Sequence, residues 1–92
     1  MDLIVQRFLD ENGKIKQLPA KQTMKELVYD YLAEKFSNDV MYTESDVNSI
    51  INQWHTFGDY FILRRGLIDS GLLNRLPDGS KYWKHKKEEQ EL

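Results

Sequence analysis

"DYFILRRGLIDSGLLNRLPDGSKYW" occupies residues 59–83, and its reading decides the fold. The first half is a helix signal. Wound at about 100° per residue, Tyr60, Phe61, Leu63, Leu67 and Ile68 share one broad apolar arc over a helix spanning about 59–70. Gly71 is a natural stop, because a residue without Cβ takes the left-handed conformation that ends helices at least cost. The second half is a hairpin signal. Pro77 sets φ for one turn position, Asp78 suits the next, and Gly79 can take positive φ in a bulge. That is the chemistry of a type I turn between two antiparallel strands.

Working outward, the segment before it predicts a second helix over 44–55. Thr43 is its cap, Asp46 is a weaker capping-box partner, and Val47, Ile50, Ile51 and Trp54 recur at helical spacing. Gly58 interrupts that pattern. Further back, Thr23 and Glu26 have capping-box spacing, or the helix begins earlier, near Ala20; Met24, Leu27, Val28, Tyr31, Leu32 and Phe36 make its apolar stripe. "VMY" at 40–42 is a short strand expected to pair with the hairpin. At the start, 2–9 reads as a short helix capped by Asp2, "DENG" as a turn, and "KIKQLP" as a short strand or extended link closed by Pro19. The order predicts an α+β, mainly helical winged helix: a three-helix helix-turn-helix core, a small antiparallel sheet, a C-terminal hairpin wing and a short N-terminal helix. One domain is expected over 1–84, with 1–18 packed on it as an N-terminal extension and 85–92 as a charged tail.

Composition bounds the function. The chain has 92 residues, 40% of them hydrophobic and 30% charged, which is globular rather than disordered. There is no cysteine, so disulfides, thiolate metal sites and cysteine nucleophiles are excluded. "MDLIVQRF" is neither a signal peptide nor a membrane span, and a cytoplasmic protein without a membrane partner is expected. The net charge of −2 weighs against strong nucleic-acid binding by the whole chain. Its distribution is uneven: 57–87 is net +4, and Glu88, Glu89 and Glu91 follow directly.

The candidate residues lie in that basic segment. Arg64 falls inside the apolar arc, so its stem should pack among apolar groups while its guanidinium finds a carboxylate or a helix-end carbonyl. Arg65 faces outward, suited to a phosphate or a guanine edge, or to an i,i+4 surface pair with Asp69. Asp59 and Asp69 on that side repel phosphate, and Ile62 and Gly66 donate nothing from their side chains. Arg75, Lys81 and Lys84 flank the hairpin turn and Lys86 and Lys87 follow; they suit phosphate contacts, or protection of a strand edge. Tyr82 and Trp83 cover the core or stack bases, and Trp54, Trp83 and Gly79 read as structural. His55 sits at a helix end that would favour an imidazolium, with Gly58 breaking the turn that would join it to Asp59; His85 reads as solvated. Tyr29, off the main stripe, and Phe57, in a loop, either form a protein-binding surface or pack into the core. Catalytic spacings, metal-ligand sets and phosphate loops do not stand out, so no enzyme activity, metal or cofactor is expected.

"LPAK" (18–21), "YTE" (42–44), "LRRGLIDSGLLNR" (63–75) and "DGSKYW" (78–83) resemble a small bacterial winged-helix family of uncharacterised function. Its members occur alone or attached to the C-terminal side of ArsR-type regulator domains. The resemblance covers about residues 8–84. It implies the winged-helix fold and a link to transcription, and it carries over no catalytic or ligand residues. Two functions are therefore expected in competition: DNA binding of modest affinity through the wing and the third helix, or association with a regulator protein or a second copy of the chain.

Overall fold

The computed structural model describes residues 3–85, and the fold is a winged helix. Its order is a 3₁₀ turn at Val5–Phe8, helices α1 (Gln22–Ala33), α2 (Glu44–Gln53) and α3 (Tyr60–Asp69), and strands β1 (Leu73–Arg75) and β2 (Tyr82–Lys84). Local chemistry sets most boundaries. Asp59 caps α3, its Oδ1 accepting the Ile62 N–H at 3.1 Å. At the other end Gly71 takes φ +80°, so that its N–H reaches the Ile68 carbonyl at 3.0 Å and the Leu72 N–H reaches Leu67 at 2.9 Å. These two bonds are the Schellman pair, and they satisfy carbonyls the helix leaves open.

The hairpin forms as its turn residues require. Gly79 has φ +76°, the Gly79 N–H donates to Leu76 O at 2.9 Å, and the Leu76 N–H donates to Lys81 O at 3.0 Å. Asp78 Oδ1 accepts from both the Ser80 N–H and hydroxyl, at 2.9 and 2.7 Å. The strands pair antiparallel with Arg75 opposite Tyr82 and Leu73 opposite Lys84. The expected strand at 40–42 is reduced to one residue: Tyr42 exchanges two backbone bonds with Tyr82, at 2.7 and 2.8 Å. Asp39, at φ 61°, turns the chain just before, and Val40 and Met41 stay exposed without ladder partners among the described residues.

α2 carries the expected capping box. Thr43 Oγ1 accepts the Asp46 N–H and Asp46 Oδ2 accepts the Thr43 N–H, both at 3.0 Å. Val47 and Ile51 are buried, with Ile50 and Trp54 packed at the margin. The box expected at Thr23 and Glu26 is not formed. The chain stays extended through Lys21, which takes the N-cap position without a side-chain cap, so Thr23 is already inside the helix. Of the two placements open to Tyr29, the core one is found: it is buried, in the slot left by Gly66 of α3.

The N-terminal residues enter the core through Val5, Phe8, Leu9 and Ile15. The helix expected over 2–9 is one 3₁₀ turn, and its Asp2 cap lies outside the described residues. Instead of a strand, Ile15 makes single bridges to Leu9 and His55, with the Ile15 N–H on Trp54 O at 2.8 Å and the Thr56 N–H on Ile15 O at 3.0 Å. This ties the chain start to the turn between α2 and α3. Around these contacts lies the innermost core, built from Val28, Leu32, Val47, Ile51, Leu63, Leu67 and Leu73.

Candidate nucleic-acid interface

α3 and the hairpin enclose a polar recess of about 340 Å³, floored by Arg64 and Tyr82 and rimmed by Phe61, Arg65, Asp69, Arg75 and Glu44. Arg64 is held as its placement in the apolar arc implied, with only 14% of its side chain exposed. Its guanidinium donates to Asn48 Oδ1 at 2.5 Å and stands 3.5 Å from Glu44 Oε2. It also lies 5.7 and 5.4 Å from the ring centres of Tyr60 and Phe61, within cation–π range. The acceptors were not identified from sequence. Their signal is that Glu44 and Asn48 stand four apart on α2, hence on one face of that helix.

Arg65 is outward, 67% exposed, and its Nε lies 3.3 Å from both carboxylate oxygens of Asp69. The surface pair is thus present, and such pairs contribute only a few tenths of a kcal/mol, about 0.3–0.5. Arg75 makes only long contacts to the Leu76 and Pro77 carbonyls, 3.5 and 3.4 Å, and among the described residues no carboxylate lies within ion-pair reach of it. The Tyr82 hydroxyl donates to Glu44 at 3.3 Å. Burial holds that phenol above its ordinary range, with the Arg64 charge working against it.

The other candidates divide. Lys81 is exposed beside the hairpin turn, while Lys84 is half-buried, its Nζ donating to the Phe36 carbonyl at 3.3 Å beyond the end of α1. Lys84 is thus less free for a phosphate contact than Lys81. Lys86 and Lys87 lie outside the described residues. Tyr82 is buried, as expected, but Trp83 is only half-buried, because neighbouring strand residues point to opposite faces. It lines an apolar groove of about 460 Å³ with Val40, Met41 and Leu76. Gly79 needs its positive φ. Trp54 closes α2 and takes Lys35 Nζ over its ring at 4.1 Å.

Two further expectations are corrected. His55 is buried with Nδ1 2.7 Å from the Ile51 carbonyl, and its Nε2 accepts the Asp59 N–H at 2.9 Å. One partner can only accept and the other can only donate, which fits the neutral Nδ1–H tautomer rather than an imidazolium. Gly58, at φ +70°, brings the Asp59 backbone back over the ring instead of breaking the link. The second correction concerns α3. Its core face is Leu63, Gly66 and Leu67; Phe61 points outward and is 56% exposed, with Ile62 beside it. The helix is turned about its axis relative to the apolar arc because Tyr29 occupies the Gly66 side. Among the described residues no group of His, Asp and Glu side chains is placed to hold a metal ion, and no helix is long and apolar enough to cross a membrane.

Comparison with known proteins gives one match. Residues 14–84 match a family described as uncharacterised proteins conserved in bacteria, DUF2087. No curated protein and no solved structure matches the chain. The matched span runs from the Ile15 bridges to the end of β2, taking in all three helices and the hairpin that frames the recess. By that match the chain belongs to the DUF2087 family of uncharacterised bacterial proteins.

Proposed function

We propose that this chain is a winged-helix module that binds DNA with modest affinity through the hairpin and α3, in the service of transcription and in the cytoplasm, and that it is not an enzyme. The observation that carries the reading is the placement of Arg75 and Arg65 on one recess between α3 and the hairpin, with Lys81 on the adjoining turn. The resemblance to modules attached to ArsR-type regulators supports the transcriptional link. Contacts would be mainly to phosphate, since Phe61 and Ile62 offer base edges no hydrogen bond, and they would be weak, since Asp69 opposes the backbone charge. With three phosphate contacts, counterion release gives a log–log salt slope of about −3 and a dissociation constant no tighter than about micromolar on arbitrary sequence.

The test is titration of labelled duplex DNA at about 50 mM salt. Arg75→Glu with Lys81→Glu should nearly abolish binding while the melting temperature is held; Lys84 is unsuitable for this purpose because it is bonded to Phe36. No binding by the unaltered protein to nucleic acid of either form, paired or unpaired, or binding indifferent to both changes, favours the second reading. That reading is association with a regulator or a second copy through the exposed Phe57, Phe61 and Ile62, and the net charge of −2 supports it. Sedimentation analysis of the chain alone tests the second copy.

A further inference from the structure

The outward face of α3 is unusual for a helix meant to lie in a duplex groove. Its most exposed large hydrophobic side chain is Phe61, followed by Ile62, and its one outward cation, Arg65, is joined to Asp69. A phenyl ring carries no donor or acceptor for a paired base edge. It does offer a flat surface to an unpaired base, and stacking of this kind is tolerant of sequence. The ring is also supported from within: the Arg64 guanidinium lies 5.4 Å from its centre and is itself tied to Asn48 and Glu44. Phe61 lines the same recess as Arg65 and Arg75, so an aromatic surface and backbone-binding cations share one site.

We infer that the recess between α3 and the hairpin takes a single-stranded nucleic acid, with an unpaired base stacked on Phe61 and the adjoining phosphates on Arg75 and Arg65. The inference rests on the nucleic-acid reading proposed above and specifies its substrate as strand rather than duplex. The two carboxylates of the site limit its strength. Glu44 stays occupied by Arg64 and the Tyr82 hydroxyl, while Asp69 must yield Arg65, leaving Arg75 as the first phosphate contact. Unpaired bases can come from DNA or RNA, and the chemistry is shared.

Labelled oligo-dT, oligo-rU and a mixed-sequence duplex of equal length are titrated by fluorescence anisotropy at about 50 mM salt, a level at which phosphate contacts remain strong. Either single strand should bind more tightly than the duplex. Phe61→Ala should weaken single-strand binding about tenfold or more and leave any duplex binding unchanged, whereas Phe61→Trp should retain it. Phe61 is exposed, so both variants should melt with the unaltered protein, and circular dichroism checks this. Preference for the duplex, or an equal effect of Phe61→Ala on both, overturns the single-strand inference and leaves the broader reading standing. Binding to none of the three overturns both.

Discussion

Arg64 and Arg65 are neighbours in sequence with opposite surroundings. Removing the largely enclosed Arg64 side chain leaves the half-buried Asn48 without its donor and the half-exposed Glu44 without its guanidinium, whereas removing Arg65 frees Asp69 to water. Arg64→Ala should therefore destabilise the protein by about 1–3 kcal/mol. Arg65→Ala should stay within about 0.5 kcal/mol. Urea denaturation measures both, and equal effects or a reversed order contradict the assignment. Asp78 gives a residue-level dependence on pH. The Ser80 hydroxyl, followed by the Ser80 N–H, holds its carboxyl below the ordinary value of 3.8. Its folded value lies below its unfolded one, so the stabilisation is present above the unfolded value and is lost as pH falls through the folded one. The difference in urea midpoint between the unaltered protein and Asp78→Asn should close between about pH 7 and about pH 2, and a constant difference contradicts it. The division between the two arginines was legible in the sequence because one step around a helix separates faces. The identity of Arg64's partners was not, since they come from another helix.

At the scale of the element, local signals were read correctly where local bonds decide the outcome. Gly71, the Pro77–Gly79 turn and the Thr43–Asp46 box all form, each closed by hydrogen bonds within a few residues. Thr23 and Glu26 show the same spacing and form nothing, because the extended chain through Lys21 starts the helix at Gln22. The two threonines thus make a matched pair. Thr43→Ala should destabilise by about 1 kcal/mol through the lost cap, while Thr23→Ala should change stability by no more than about 0.5 kcal/mol. Thermal melts of the two variants decide it, and a larger loss at Thr23 would show that the helix start is wrongly placed. The short strand at 40–42 was overread for the opposite reason. Three apolar residues suit a strand, but the positive φ at Asp39 allows only Tyr42 to reach β2.

The whole molecule depends on residues that the family match leaves out. Val5, Phe8 and Leu9 precede the matched span and are buried in the common core, against α1 and Ile15. Each such side chain contributes about 1.5–3 kcal/mol when buried. A small domain has about 5–15 kcal/mol in total. A chain shortened to 14–92 should therefore lose cooperative unfolding, as followed by circular dichroism against temperature. A sharp transition near that of the full chain would contradict the dependence. The order of elements was legible because it is written in turns and caps. The outward face of α3 was not, because its one broad apolar arc leaves the angle of the helix open and a residue distant in sequence packs against Gly66.

That residue is Tyr29, and its consequence is mechanical. A Cβ added at Gly66 would stand 2.2 Å from the Tyr29 ring, so the phenol fits α3 as a key fits a slot and leaves the helix one angle about its own axis. α1 contributes nothing to the lining of the recess, yet it aims the recess. A substitution at Tyr29 would swing Phe61 and Arg65 together relative to Arg75, detuning the site from behind without altering any group that lines it.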